Sequence, residues 1–421
     1  MWNKVLLILK DRDLRRKFLF LLGFLAVFRL VSSIPVPGID ALRLQDFLGQ
    51  NQFFGLLNIF SGGALSNLSV VMLGVGPYIT ASIIMQLLGM VFPSLKELYQ
   101  GEEGEAGRQK FNQYSRLLTV PLALVQGFGL LTILERQGIL QLTFFDKITD
   151  LIIVAAGSIF LMWLGELISE YSIGNGVSIL IFAGIVASLP ADVGQTLINF
   201  SSSELPTLIA FLVIAIITVA AVVFISEGER PVPVYYAKRI RGMKMYGGAS
   251  SYLPLRVNQA GVIPIIFALS ILLFPQMIAS FFSASGNAIL RSVSQAIISF
   301  LNNPWPYAGA YFILVFLFTY FYTAVTFDPQ SVSSNLQKSG AFVPGIRPGP
   351  STSEFLNKVV SRITLVGALF LGIVAVLPLI LRAVSGIQTL TIGGTALLIV
   401  VSVVLETAKQ IEAQLSLRTY E

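Results

Sequence analysis

Ten runs of about twenty mostly apolar residues follow one another along this chain, near 18–34, 69–92, 115–134, 148–168, 177–198, 207–226, 259–282, 307–327, 363–381 and 389–408. About twenty such residues are what an α-helix needs to cross the hydrocarbon core of a bilayer. Inside lipid the backbone must satisfy its own polar groups, which confines each run to a helix. Composition points the same way: of 421 residues, 55% are hydrophobic and 12% charged, where a soluble chain carries roughly 25% charge. A soluble fold is excluded, and the expected class is an all-α polytopic membrane protein with ten transmembrane helices. The start is mixed-charge through Lys17 and no small-residue cleavage site precedes the first run, so no removable signal peptide is expected.

An even number of spans puts both termini on one side. Of the 28 Lys and Arg, 22 fall in the connections on that side; Arg43, Arg136, Lys147, Arg291 and Arg382 fall on the other, and Arg29 lies within the first run. Positive charge stays in the cytoplasm, so both termini are expected there. Arg29 is twelve residues past Lys17, roughly 18 Å along a helix, and its guanidinium can snorkel to the far headgroups.

Between Phe47 and Leu95 there are 49 residues without a charge, too many for one crossing, and the first half is rich in Gly, Ser and Asn. The stretch Leu57, Asn58, Ile59, Phe60, Ser61, Gly62, Gly63, Ala64, Leu65, Ser66, Asn67, Leu68 is long enough for a short helix but too polar and Gly-broken to face lipid. A non-spanning segment at membrane depth must be buried in protein or line a water-filled cavity; the alternative is a loop lying in the interface.

The chain has no Cys and no His, which removes disulfides, thiol nucleophiles, Cys/His zinc sites and imidazole acid/base chemistry. No carboxylate sits in the middle of a run, since Glu166, Glu227 and Glu406 fall near run ends, and a midplane ionisable group is what ion-coupled transporters need. No phosphate-binding, metalloprotease or nucleophile-elbow motif is present. No enzyme activity, metal or cofactor is expected.

Two connections on the basic side stand out. Residues 227–258 hold two strand-like runs around a Gly-containing turn, with Lys238, Arg239, Arg241 and Lys244 near its tip. Residues 328–357 carry Lys338 and, in a Pro- and Gly-stiffened turn, Arg347. Orientation alone can account for such charge. The turn chemistry favours docking on an acidic protein or on RNA phosphate, contacts that weaken as salt rises.

Ten spans also divide into two sets of five around a linker at 201–206, and an odd number starts the second set from the opposite side, which permits inverted-repeat halves. Val75 and Ile79, and Ile181 and Ile185, are each four apart and so share a helix face. In most membrane proteins such stripes face lipid or pack.

At these residues the chain resembles the SecY family, the large subunit of the bacterial protein translocase. The resemblance is carried by residues 77–88 (from Pro77-Tyr78-Ile79-Thr80), 104–110, 113–116, Met162-Trp163-Leu164-Gly165-Glu166, Ile173-Gly174-Asn175-Gly176, Tyr236-Ala237-Lys238-Arg239, Val257-Asn258-Gln259-Ala260 and on to Pro264, 338–349, and Gly393-Gly394-Thr395. It implies an hourglass channel between two pseudo-symmetric five-helix halves, 1–200 and 207–421, hinged at 201–206. The constriction would be a ring formed by Val75, Ile79, Ile181, Ile185, Ile266 and Ile399, with Val75 in place of the commoner Ile. Residues 57–68 match the plug, a short helix closing the outer funnel. Thr80, Gln126 and Asn258 would be polar residues of a lateral gate where spans two and three face seven and eight. The implied partners are the small subunits SecE and SecG, the SecA motor ATPase, the ribosome, signal peptides and nascent chains, and membrane lipids, in a bacterial plasma membrane. A secondary transporter with broken helices is the alternative. It accounts for the spans but lacks a midplane ion ligand and leaves the basic loops without a purpose.

Overall fold

A computed structural model describes residues 11–37, 58, 61–100, 104–136, 138–140, 142–198, 205–236, 239–241, 244–246, 250–283, 287–385 and 389–419. In chain order its elements are α1 (Arg12–Ser32), α2 (Gly76–Val91), α3 (Pro93–Gln100), α4 (Gly104–Arg136), α5 (Phe144–Tyr171), α6 (Gly176–Ile198) and α7 (Leu205–Glu227). Then come the strands β1 (Glu229–Tyr236), β2 (Arg239–Arg241), β3 (Lys244–Tyr246) and β4 (Ser250–Arg256). The last part holds α8 (Ile263–Phe282), α9 (Ala288–Asn302), α10 (Pro304–Thr326), α11 (Pro329–Lys338), β5 (Ala341–Phe342), α12 (Pro350–Ser385) and α13 (Thr389–Thr419).

Each of the ten apolar runs coincides with a helix: α1, α2, α4, α5, α6, α7, α8, α10, α12 and α13. By length and apolar composition alone, four of the described helices, within α4, α5, α10 and α12, suffice to cross a bilayer. The second run departs from its expected bounds. Its first residues form turns and only 16 residues are helical, about 24 Å of rise. Gly74 at φ 58° and Pro77 near the helix start set that boundary. Ser158 of α5 donates its hydroxyl to Gly74 O at 2.9 Å, fixing the turn against the neighbouring helix.

The first five spans pack on the second five through two seams. α8 lies against α2 and α4, and α13 lies against α6. Two of the three acids near run ends are paired on the basic side, Glu166 with Arg116 at 2.6 Å and Glu227 with Lys409 at 3.0 Å. Arg29, exposed in the last turn of α1, sits at the opposite end, as snorkelling requires.

The two basic connections form one body. β1 pairs antiparallel with β4 over Glu229↔Arg256 to Tyr235↔Ser250, and its other edge pairs with β5 through Tyr235↔Phe342 and Tyr236↔Ala341. Val257 N–H donates to Gly228 O. Hydrogen-bonded positions alternate in an antiparallel pair, so the even-numbered residues of β1 bond β4. Pro231 and Pro233 then turn their nitrogens to the edge that β5 leaves open, where a missing donor costs nothing. Beneath the sheet Val232, Leu255, Val343, Leu356, Val359, Val360 and Ile363 are buried together. α11 is held at the edge of this body by Asp328, which caps it by accepting from Gln330 N–H at 3.0 Å and from the Ser331 hydroxyl at 2.6 Å.

Burial raises the Asp328 carboxyl, but the hydrogen bonds from Ser331 and Gln330, with Lys96 nearby, outweigh it and hold the group below the ordinary carboxylate range. A carboxylate depressed in this way stabilises the fold above its unfolded pKa, and the gain is lost as pH falls through the folded value. Asp328→Ala is expected to cost about 0.5–2 kcal/mol of local helix stability, read as faster amide exchange at 330–333 near neutral pH. Wild-type protection factors there would show that the cap is idle.

Candidate functional site

The six aliphatic positions singled out by sequence come from four helices. Val75 caps the start of α2 and Ile79 follows one turn on; Ile181 and Ile185 lie on α6, Ile266 on α8 and Ile399 on α13. All six belong to one buried apolar cluster, and Ile79, the most accessible, is 5% exposed. The helices carrying them are the ones that form the two seams, α2 with α8 and α6 with α13. Their side chains meet where the two sets of five spans meet.

Against this cluster lies the Gly-rich segment. Of residues 57–68, Asn58 and 61–68 are described; Leu57, Ile59 and Phe60 lie outside the described residues. A short helix was the expectation; Asn58 is helical, and residues 61–68 form a series of turns. Left-handed backbone at Gly62 (φ 67°), Gly63 (φ 81°) and Leu68 (φ 40°) prevents a helix. Local polar side chains replace the helical hydrogen bonds. Asn58 Oδ1 accepts from Ser66 N–H at 2.9 Å, Ser61 Oγ accepts from Leu65 N–H at 3.0 Å, and Ser66 Oγ donates to Gly63 O at 2.6 Å. A backbone bridge between Pro35 and Ser69 ties the segment to the chain leaving α1.

The segment touches the cluster by backbone. Gly62 lies against Gly184, between Ile181 and Ile185 on α6, so closely that a Cβ on Gly184 would overlap the Gly62 backbone. A Cβ on Gly62 would come within 2.6 Å of Phe28 Cζ. Ala64, with no exposed surface, is itself a member of the cluster, as is Phe28 of α1. Phe28 is a contact that sequence reasoning missed, since one Phe in an apolar span has no feature to mark it.

Two of the three polar positions come together. Gln126 Nε2 of α4 donates to Thr80 Oγ1 of α2 at 3.4 Å, while Thr80 donates to Gly76 O at 3.0 Å. Asn258 is elsewhere, in the turn before α8, where its amide donates to Gly261 O at 3.2 Å. It lines a cavity of about 360 Å³ with Arg256, Glu406 and Lys409. A second cavity, about 180 Å³, opens between α2, α4 and α10 and is lined by Gln86, Phe111, Phe327, Lys96 and Asp328.

On the basic side, Arg239, Arg241 and Lys244 fall on the small β2–β3 ladder with Arg241 paired to Lys244 in register, which puts them at its turn; Lys238 lies outside the described residues. Lys338 is exposed in the last turn of α11. Arg347 is exposed in the turn between β5 and α12, where Thr352 Oγ1 donates to its carbonyl at 3.0 Å and Ile346 N–H to Val343 O at 3.1 Å. Positive φ at Gly345 (78°) and Gly349 (101°) requires glycine there and gives the turn its shape. Among the described residues no group of three or more Asp or Glu is placed to hold a metal.

A family model described as SecY matches residues 69–408. The protein translocase subunit SecY of Mycobacterium bovis is 43% identical, covering 98% of this chain and 97% of that protein. Two solved structures share the fold at low identity. One is of a SecY protein whose plug domain is described as stabilising the closed state of the translocation channel and maintaining a membrane seal (TM-score 0.62, 20% identity, 93% of this chain and 90% of that chain). The other is Sec61 in a canine ribosome–channel complex from the endoplasmic reticulum (TM-score 0.60, 18% identity, 95% and 92%). With ten helices in this arrangement and near full-length identity to a SecY protein, the chain belongs to the SecY family of multi-pass membrane channels.

Proposed function

We propose that this chain is the pore-forming subunit of a protein translocase, passing unfolded secretory polypeptides across a bacterial plasma membrane and releasing apolar segments sideways into lipid. The observation that carries the reading is the convergence of six aliphatic side chains from both sets of spans, with a turn-rich segment packed on them. A narrow apolar constriction dewets when empty and so blocks ions. It also deforms around a passing chain without demanding hydrogen bonds, which a charged ring could not do. The six residues are the constriction, residues 57–68 the plug, and 1–200 and 207–421 the halves that open about 201–206. Residues 201–204 of that hinge lie outside the described residues. Thr80 and Gln126, with Asn258 deeper on the basic side, line the lateral gate. A signal helix opens the gate by binding the open state better than the closed one.

Both termini and the sheet of β4, β1 and β5 face the cytoplasm, as the charge bias favours. There Lys238, Arg239, Arg241, Lys244, Lys338 and Arg347 dock the ribosome and the SecA motor, while SecE and SecG complete the membrane complex. The test is reconstitution of the chain with its small subunits and motor in vesicles, scoring a secretory precursor for protection from protease. Substrate-coupled ion uptake with no protected precursor would favour the transporter reading.

Gly184 offers a direct test of the plug. A Gly→Ala change in a helix ordinarily gains about 1 kcal/mol in propensity, yet Ala at 184 meets the Gly62 backbone and must displace the segment. Gly184→Ala is therefore expected to raise resting ion conductance while leaving expression intact. Wild-type conductance would mean that the segment does not contribute to the seal.

A further inference from the structure

The apolar runs of the sequence mark no element between the seventh and eighth spans, where the structure has the fifteen-residue helix α9. Its surface divides into three sectors. Ile289, Val293, Ala296 and Phe300 recur at helical spacing on one face, and all four are exposed, Ile289 at 72%, Val293 at 53% and Phe300 at 51%. Arg291, Gln295, Ser299 and Asn302 form a second, exposed polar face. Ser294 and Leu301 form a third that is buried, and Leu301 belongs to the same apolar cluster as the six constriction positions.

A helix with an apolar and a polar face exposed side by side fits a boundary between two solvents. Its tethers say which boundary. Five residues separate α9 from α8 and one separates it from α10. Both neighbours cross the membrane, and both carry exposed apolar residues running up to α9: Ile278 and Phe282 on α8, Trp305 and Ile313 on α10. Trp305 stands at the first turn of α10, beside the end of α9, where amphipathic rings anchor spans at the headgroup level. The apolar face of α9 thus continues the lipid-facing surface of two spans.

We propose that α9 lies flat in the membrane interface on the side away from the basic loops, its Ile289–Val293–Phe300 face seated among lipid acyl chains and its Arg291–Gln295–Ser299 face in water. Seated so, it fixes the far ends of α8 and α10 relative to the bilayer and, through Leu301, ties the lipid surface to the buried cluster. The proposal rests on the membrane-spanning fold and stands apart from the channel reading.

The absence of cysteine makes the test clean. The single substitutions Ile289→Cys, Val293→Cys, Phe300→Cys, Arg291→Cys, Gln295→Cys and Ser299→Cys, all at exposed positions, would carry spin labels. The full complex would be placed in phosphatidylethanolamine–phosphatidylglycerol vesicles. Collision with oxygen, which partitions into lipid, is expected to exceed collision with a water-soluble nickel chelate at 289, 293 and 300, and the order is expected to invert at 291, 295 and 299. Chelate dominance at all six would place α9 in water and overturn the proposal. Low access by both reagents at 289, 293 and 300 would mean that a protein subunit or a second copy covers the face, which would overturn it equally. Neither reading depends on translocation, so the channel assignment is tested separately.

Discussion

Replacing Ile399 or Ile185 with Asn is expected to turn a resting seal into an ion leak. Ile399 has no exposed surface and Ile185 is 3% exposed, and both lie in the cluster joining the two sets of spans. Burying an Ile side chain is worth roughly 1.5–3 kcal/mol, and an amide left without a partner in its place costs about 1–3 kcal/mol more. An amide in the proposed constriction is relieved by recruiting water, which is the state that conducts ions. The same loss of closed-state stability moves a gate poised within a few kcal/mol toward open, so both variants are also expected to pass precursors with defective signal sequences. Ile399→Leu keeps an apolar surface of similar volume and is expected to stay near wild type. Planar-bilayer conductance equal to wild type in both Asn variants would remove these residues from the seal.

Arg347→Glu is expected to insert and seal normally yet lose most partner-driven translocation. If the charge served orientation alone, its loss would be mild, because Lys338, Lys358 and Arg362 remain in the same connection and 21 basic residues still face five. Its setting argues for more than orientation. The turn is shaped by glycines in left-handed conformations, fastened by Thr352, and backed by the buried contacts of Val343 with Val232 and Leu255. Such a mount holds the guanidinium on a rigid surface and lowers the entropy lost on binding. Losing a charge-assisted contact removes roughly 1.5–3 kcal/mol, about ten- to a hundredfold in affinity, and Glu adds repulsion against an acidic partner. Arg347→Lys should fall between, since the planar fork is lost while the charge stays. Reporter topology, single-channel conductance and precursor translocation at limiting motor or ribosome concentration separate the two readings. Full translocation by the Glu variant would return Arg347 to orientation alone.

Sequence was strongest where the physics is local. The spacing of Val75 with Ile79 and of Ile181 with Ile185 placed each pair on one helix face, but could not say whether that face met lipid, another helix or a cavity. The four helices had to pack before the pairs, with Ile266 and Ile399, became one cluster. The segment at 61–68 was readable as non-spanning from its Gly, Ser and Asn content. Its turn conformation depends on three left-handed residues and on Asn58 reaching Ser66, which composition does not encode. α9 escaped notice because its apolar face covers one sector of a short helix and never forms a run.

The number and placement of the spans, the side that carries the charge, and the lack of cysteine, histidine and midplane acid chemistry were determined by the sequence itself. Each is a sum over neighbouring residues: about twenty apolar side chains decide a transfer free energy whatever lies elsewhere in the chain. Only the tertiary structure decided that Gly62 rests on Gly184, that Thr80 bonds Gln126 while Asn258 does not join them, and that two basic loops about a hundred residues apart share one sheet through Tyr235 and Phe342. These are pairings between distant segments. Their energies depend on which faces the packed helices turn toward each other, and a periodic apolar sequence is compatible with many such choices until the close contacts select one.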